Sequence, residues 1–337
     1  NCLIGNIERC NGASHEIIAT WAIYNRSFKK MRKITSLMFA LIFGLSFLAN
    51  AQDAKSNQPK GYQFTDIKRL PATSVKDQAR AGTCWSWSGI SFFESEMIRM
   101  GKEPIDLSAM YIVRHAYSDK ATKFVRLHGS MNFAVGGAFC DVMHVIKNYG
   151  IVPMDVYKGL NYGEPNHAFG EIDDVLAGYV NAVIKNSNKK LSTAWKKGFD
   201  GILDAYLGEE PEKFEYKGKE YTPRTFADEV VGLNMDDYVS LTSFTHHPFY
   251  SQFAIEVPDN WLWGMSYNLP IDELAQVMSN AIDNGYTFAW ASDVSERGFQ
   301  TSQPGVAVVP TTDTKEMSGA EIAKWEAMPL HMAGSLA

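Results

Sequence analysis

Two residues six positions apart, Gln78 and Cys84, supply the side chains that acyl-transfer chemistry requires. A cysteine thiolate can attack a carbonyl carbon, and a side-chain amide can donate a hydrogen bond to the oxyanion that this attack creates. Gly82 lies between them and permits close approach of the backbone. The pattern predicts covalent catalysis, with Cys84 as the nucleophile and Gln78 as an oxyanion-hole donor.

The element that must position Cys84 is a helix beginning at this residue. Apolar side chains recur at helical spacing downstream, at Trp87, Ile90, Phe93, Met97 and Met100. A helix N-terminus carries the positive end of the macrodipole and free N–H groups, which favour the thiolate. The alternative is that Cys84 is a small buried apolar residue, as isolated cysteines usually are. The upstream glutamine, the glycine and the helix onset together favour the nucleophile.

The stretch from Gln78 to Trp85 resembles the papain-like cysteine peptidases, in which a Gln, six positions and a Cys-Trp pair open a helix. The papain signature reads Cys-Gly-Ser/Ala-Cys-Trp. This chain has Ala81 in place of the first cysteine, which points to the bleomycin hydrolase and aminopeptidase C branch. Further blocks resemble that branch in the same order, at residues 106–111, 136–137, 148–153, 222–226, 247–249 and 268–274. The resemblance runs from about residue 62 to about residue 324.

The resemblance implies an α+β, papain-like fold of two subdomains, with a helical left half and a β-rich right half. Helical patterns over 171–186 and 191–206 are interpreted as an insertion at about 160–230. Other patterns predict a helix within 136–150, a hairpin over 214–221, a helix over 274–282 and strands at 287–291 and 305–309. The peptidase domain is expected to cover 61–337, with its right half incomplete in this sequence.

Gly136 and Gly137 are the predicted substrate-binding residues. The resemblance implies that they form a wall of the cleft, where main-chain groups hold the substrate backbone and a side chain would block its approach. On local sequence alone, a simple turn before a helix is an equally good explanation.

A cysteine nucleophile needs a histidine to take and return its proton and a polar residue to orient that histidine. The resemblance implies that both come from the second half, the asparagine within Asn-Ser-Trp, but this motif does not occur. His331 is the only histidine after residue 291, and six residues follow it. We therefore expect the histidine and asparagine to lie beyond this sequence. Glu94 and Glu96 are two apart on one helix, so they do not face each other, and a solvated face is expected for both.

The N-terminal part of the sequence is typical of a secretory signal peptide. Met31-Arg32-Lys33 precedes an apolar run at 37–48, and Ala49-Asn50-Ala51 fits a cleavage site. A buried core helix is the alternative. We expect a signal peptide at 31–51, a flexible segment at 52–60 and a secreted or periplasmic protein. Residues 1–30 have no evident role and could be spurious upstream sequence.

Cleavage there would leave two cysteines, Cys84 and Cys140, which is not a disulfide framework. Cys140 is predicted to pack beside the apolar face of its helix. A disulfide bridge between Cys84 and Cys140 would remove the nucleophilic thiol. The net charge of −6, more negative once the basic N-terminus is removed, argues against nucleic acid or an anionic membrane as a partner. No motif for a cofactor or metal is present, and none is expected in catalysis.

These observations favour a cysteine peptidase or aminopeptidase that acts on peptide substrates. The resemblance also implies a homo-oligomer, a hexamer. Exopeptidase and endopeptidase activity both stay open, because the C-terminal tail that restricts the branch to aminopeptidase activity is not found here. One alternative is an inactive peptidase fold that binds peptides or assembles with partners. A transglutaminase-like acyltransferase would fit Cys84 but not the spacing to Gln78.

Overall fold

The computed structural model describes residues 65–292 and three short strands beyond them. The first part of the described chain is helical, as expected for the left half. Its five helices are α1 (Cys84–Arg99), α2 (Ala109–Arg126), α3 (Phe139–Tyr149), α4 (Gly170–Ile184) and α5 (Trp195–Leu207).

The second part is built from short strands. The hairpin of β1 (Phe214–Tyr216) and β2 (Lys219–Tyr221) is confirmed and leads to the helical turn α6 (Pro223–Phe226). A three-stranded sheet follows with the order β3-β5-β4, from β3 (Leu241–Thr242), β4 (Gln252–Ala254) and β5 (Met265–Asn268). After the helix α7 (Ile271–Asp283), an antiparallel sheet contains β6 (Phe299–Gln300), β7 (Val306–Val308) and β8 (Ala327–Pro329).

The core forms around α1, α2 and α3, with α4 and α5 packed on α2. The predicted apolar stripe of α1 is buried at Trp87, Ile90, Phe93 and Met97. Met100 was expected to continue it but is 49% exposed. The reason is that α1 ends at Arg99, so Met100 is the C-cap and turns away from the core.

Helix ends are set by recognisable local signals. The Ser108 hydroxyl accepts a hydrogen bond from the Tyr111 amide at 3.0 Å and caps the start of α2. Gly150 ends α3 with a φ of 88°, which favours glycine. A Cβ at this position would also clash with the Pro223 carbonyl of α6, so the glycine is needed on two grounds.

Two strand predictions had different outcomes. The strand expected at 305–309 is confirmed as β7. The strand expected at 287–291 is wrong, because residues 286–292 have no regular secondary structure. A strand depends on hydrogen bonds to a neighbour, and none of the described strands pairs with this segment.

Several sequence-based expectations lie outside the described residues. They are residues 1–30, the signal peptide at 31–51, the segment 52–60 and His331. Among the helices that the structure does describe, none is both long and apolar enough to cross a lipid bilayer.

Candidate active site

Cys84 is the first residue of α1, as predicted, and is partly exposed. The preceding residue, Thr83, is fully buried, and its carbonyl accepts the Ser86 amide at 2.9 Å. Its hydroxyl accepts the Trp87 indole N–H at 3.1 Å. Cys84 lies at a helix N-terminus, which stabilises the thiolate form of a cysteine.

Gln78 lies in a tight turn before α1. The Ala81 amide donates to its carbonyl at 3.1 Å, and the Asp77 carboxylate accepts the Ala79 amide at 2.7 Å. Ala79 has a φ of 50°, which the short Asp77 contact helps to hold. The Gln78 side chain is buried, and within the described part of the chain its Oε1 accepts no hydrogen bond. A glutamine kept only for structure normally satisfies such an atom.

The turn that carries Gln78 is anchored to α1 by Glu94. The Glu94 carboxylate accepts hydrogen bonds from Lys76 Nζ at 2.6 Å, from the Thr73 hydroxyl and from the Leu107 amide at 2.7 Å. Lys76 stands two residues before Gln78. Burial raises the pKa of Glu94, and the charge and hydrogen bond of Lys76 act against that rise.

The expected solvated face at Glu94 and Glu96 is therefore wrong, because both side chains are buried. Glu96 accepts two hydrogen bonds from the Arg99 guanidinium, each of 2.9 Å. The segment 65–83 and Tyr238 cover sides of α1 that would otherwise face water. Each carboxylate has its own cationic partner, so they do not form an acid–base pair.

A second anchor fixes the far side of the turn. The Arg80 amide donates to the His167 carbonyl at 2.9 Å, and the Phe169 amide donates to the Arg80 carbonyl at 3.2 Å. The Gln78 turn is thus held between α1 and the segment that enters α4.

Gly136 and Gly137 are tied to the residue beside Cys84. The Trp85 indole N–H donates to the Val135 carbonyl at 3.1 Å, and Lys120 Nζ donates to the Gly136 carbonyl at 2.5 Å. Lys120 is buried, and burial lowers its pKa to about 8. The loop before α3 is therefore fixed relative to the start of α1.

Contacts within the protein explain why positions 136 and 137 require glycine. A Cβ on Gly137 would lie 2.6 Å from the Trp85 ring, and one on Gly136 would overlap the Asp259 carboxylate. Neither glycine has a positive φ. Close packing alone therefore accounts for both, and substrate binding by this loop stays a prediction.

Cys140 differs from Cys84 in its surroundings. It is a free thiol, so no bridge joins it to Cys84. Burial and the neighbouring Asp141 carboxylate raise the pKa of Cys140 to about 12. Its Sγ donates to Asp141 Oδ1 at 3.5 Å near the start of α3, and Cys140 is not among the residues of the hydrophobic core.

A group with the residue types of a catalytic triad lies between α3, which carries Cys140 and His144, and α2, which carries Asp119. His144, one turn after Cys140, contacts Asp119 at 2.9 Å, and Cys140 and His144 line one cavity of about 290 Å³. No hydrogen bond joins the thiol to the imidazole, because the thiol faces Asp141 and Asn260. A thiol with a pKa near 12 carries almost no thiolate at neutral pH, so this group is not a nucleophile–base pair.

The general base has no assignment in the described part of the chain. His115 pairs with Glu210, and His246 and His247 pair with Glu256. His331 lies outside the described residues. The expectation that the general-base histidine lies beyond this sequence thus stays a prediction.

The sequence model of the Peptidase C1-like family matches residues 111–337, more than half of the chain. The chain belongs to this family. Family membership confirms the predicted relationship to papain-like cysteine peptidases. The match begins after Gln78 and Cys84, so it does not by itself assign their roles.

Individual relatives lie in the expected branch. The chain is 22% identical to aminopeptidase C of Streptococcus thermophilus over 275 residues, covering 67% of this chain and 60% of that protein. It is 22% identical to aminopeptidase C of Lactococcus lactis subsp. lactis over 313 residues, covering 80% of this chain and 69% of that protein. The chain thus spans about 60% of the length of the first of these relatives.

The crystal structure of PepW from Lactobacillus rhamnosis HN001 has a similar fold. The TM-score is 0.53 at 21% identity, and the alignment covers 69% of this chain and 63% of PepW. The predicted papain-like α+β fold is confirmed.

Proposed function

We propose that this protein is a cysteine peptidase of the aminopeptidase C type, with Cys84 as its nucleophile and Gln78 as its oxyanion-hole donor. One observation carries the proposal. In a member of the Peptidase C1-like family, α1 begins at Cys84, and the same helix anchors the Gln78 turn through Glu94. Nucleophile and donor are therefore held by one rigid element.

The reaction follows from these positions. The Cys84 thiolate attacks the peptide carbonyl carbon, and the carbonyl electron pair moves onto oxygen. The Gln78 amide and the Cys84 backbone N–H stabilise this oxyanion. Its collapse breaks the C–N bond, the amine leaves with a proton from the general acid, and an acyl-thioester remains. Water then hydrolyses the thioester, giving the carboxylic acid and restoring the thiol.

The names of the relatives suggest the substrate class. Both are aminopeptidases, so we propose that peptides with a free N-terminal amine are the substrates. The loop at Gly136 and Gly137 would hold the substrate backbone beside Cys84. Its fixation by Trp85 and Lys120 supports this role, because a preformed wall loses little entropy on binding.

The test compares an aminoacyl-anilide that has a free amine with its N-acetylated form, using the full-length protein under reducing conditions. Cleavage of the free form alone is expected, and Cys84→Ala should abolish it. The matched control is Cys140→Ala, which removes the other described thiol and should retain activity. Preference for the acetylated form would overturn aminopeptidase specificity. Peptide binding without cleavage by any form would favour the inactive binding module.

Two wider proposals accompany this function. Residues 31–51 act as a signal peptide, and the N-terminus of the exported protein should then begin at Gln52. The native protein forms a homo-oligomer, which light scattering would detect. An N-terminus that retains residues 31–51, or a monomeric mass, would contradict the respective proposal.

A further inference from the structure

Two histidines and one glutamate converge at one end of the β3-β5-β4 sheet. His246 and His247 lie in the connection between β3 and β4, and Glu256 follows β4. His247 Nε2 lies 2.5 Å from Glu256 Oε1, and His246 Nε2 lies 3.3 Å from Glu256 Oε2. One candidate ligand atom from each residue falls within 4.8 Å of the other two. Adjacency in sequence does not require this, since neighbouring side chains often diverge.

A buried asparagine on the central strand holds the connection in place. Asn268 of β5 is fully buried, and its Nδ2 donates to the carbonyls of Phe244, His247 and Pro248 at 2.8, 3.0 and 3.2 Å. Its Oδ1 accepts the Phe244 amide at 2.8 Å. The backbone on both sides of the histidine pair is therefore fixed before any ligand binds.

The His247 ring is held as firmly as its backbone. It stacks on Phe253 of β4, with ring centroids 3.9 Å apart and an interplanar angle of 21°. Phe253 is buried, so this surface is part of the packed sheet. The stacking directs the Nε2 edge of His247 toward Glu256, and the His246 ring lies beside it at 4.4 Å.

The ion pairs of this cluster contribute little to the free energy of folding. His246 and Glu256 are 57% and 59% exposed, and exposed ion pairs contribute little to folding. Two imidazole nitrogens and one carboxylate oxygen are the ligands of three-residue zinc sites, with water in the fourth position. Magnesium and calcium prefer oxygen ligands throughout.

We propose that His246, His247 and Glu256 bind a divalent transition-metal ion of the zinc class. Ligands of a tetrahedral zinc ion lie about 3.3 Å apart, given bond lengths of about 2.0–2.1 Å. The His246–Glu256 spacing already has this value. His247 Nε2 lies 2.5 Å from the other carboxylate oxygen, Oε1, and this pair would have to open to about 3.3 Å as zinc replaces their hydrogen bond. The bound ion would join the β3–β4 connection to the segment that follows β4, and it would take no part in the reaction at Cys84.

Isothermal titration with ZnCl2 and thermal denaturation test the proposal on the full chain. All four cysteines of the chain, at positions 2, 10, 84 and 140, are first replaced by serine, because thiolates also bind zinc. In this background, zinc should bind and raise the Tm. Glu256→Gln and His247→Asn should each weaken zinc binding at least roughly tenfold and remove most of the Tm shift. Tm values without zinc show whether the variants still fold.

A matched control is His128→Asn. His128 is exposed and has a φ of 53°, which asparagine tolerates, and it lies outside the cluster. This variant should bind zinc as tightly as its parent. Unchanged zinc affinity in Glu256→Gln and His247→Asn would overturn the proposal, as would loss of binding in the thiol-free background. Tighter binding of Mg²⁺ than of Zn²⁺ would overturn the assignment to the transition-metal class.

Discussion

Lys76 Nζ donates to Glu94 Oε2 at 2.6 Å and joins the segment just before Gln78 to the middle of the helix that begins at Cys84. The Glu94 side chain has no exposed surface, and that of Lys76 is 12% exposed. Breaking a buried pair by removing one partner is costly, because the remaining charge loses its compensation. This pair therefore links the stability of the fold to the geometry of the proposed site.

The variant Lys76→Met should destabilise the protein by about 3 kcal/mol at neutral pH, since it leaves the Glu94 carboxylate buried without a cation. Burial already raises the pKa of Glu94. A raised folded-state pKa favours stability at acidic pH, and that contribution is lost as pH rises through it. The difference between Lys76→Met and the parent should thus be larger at pH 7 than at pH 5.

Urea unfolding at the two pH values measures this difference. Lys213→Met is the matched control, because Lys213 forms an exposed pair with Glu220 at 2.8 Å. It should change stability little at either pH. Equal losses in the two variants, or a loss for Lys76→Met independent of pH, would show that the buried pair does not act as described.

Replacing Gln78 by alanine tests the oxyanion donor. Loss of one donor costs roughly 3 kcal/mol of transition-state stabilisation, or about 100-fold in kcat. KM should change much less, because the oxyanion exists only after attack. Steady-state kinetics on the full-length enzyme separate the two constants. A rise in KM with unchanged kcat would mean that Gln78 has only a structural role.

Replacing Gly137 by alanine should lower both stability and kcat/KM. The new methyl group would lie 2.6 Å from the Trp85 ring and from the Asp141 carboxylate, so the loop beside Cys84 must shift. Overpacking of this kind costs about 1–3 kcal/mol. Thermal denaturation and peptide hydrolysis measure the two effects.

Gly178 is the matched control for this change. It lies within α4, and a Cβ there would meet nothing within 4 Å. Gly178→Ala should be neutral or stabilising by up to about 1 kcal/mol, since alanine favours helix. Equal effects of the two alanine substitutions would contradict the tight packing of the loop against Trp85.

The two described thiols should differ in reactivity after reduction. Burial and Asp141 raise the pKa of Cys140 to about 12, so it carries almost no thiolate at pH 7. Cys84, at the start of α1, should be alkylated first by iodoacetamide. Peptide mapping over time gives the order, and earlier modification of Cys140 would contradict this distinction.

The sequence predicted the secondary-structure elements better than the contacts between them. The spacing of apolar residues located α1, and Gly150 marked the end of α3, because both signals are local. The burial of Glu94 also has a local signal in the sequence. Glu94 lies four residues after Ile90 and three before Met97, within the buried stripe of α1. A charged side chain at such a position is usually expected to be exposed, but the spacing places Glu94 on the buried side of the helix.

Other features depended on contacts distant in sequence. Nothing local indicates that Lys120 would hold the Gly136 carbonyl, or that Asn268 would hold the histidine pair. The false strand at 287–291 has the same origin, because a strand requires a neighbour that local composition does not specify.

The most direct test of the central claim is to trap the acyl-enzyme. Reduced full-length protein is mixed with an activated ester of an amino acid whose amine is free. The reaction is quenched in acid within milliseconds and analysed by intact mass and peptide mapping. One aminoacyl group should appear on the peptide that contains Cys84, in the parent and in Cys140→Ala, and be absent from Cys84→Ala. Peptide hydrolysis by Cys84→Ala, or an acyl group at another residue, would contradict the assignment of Cys84 as the nucleophile.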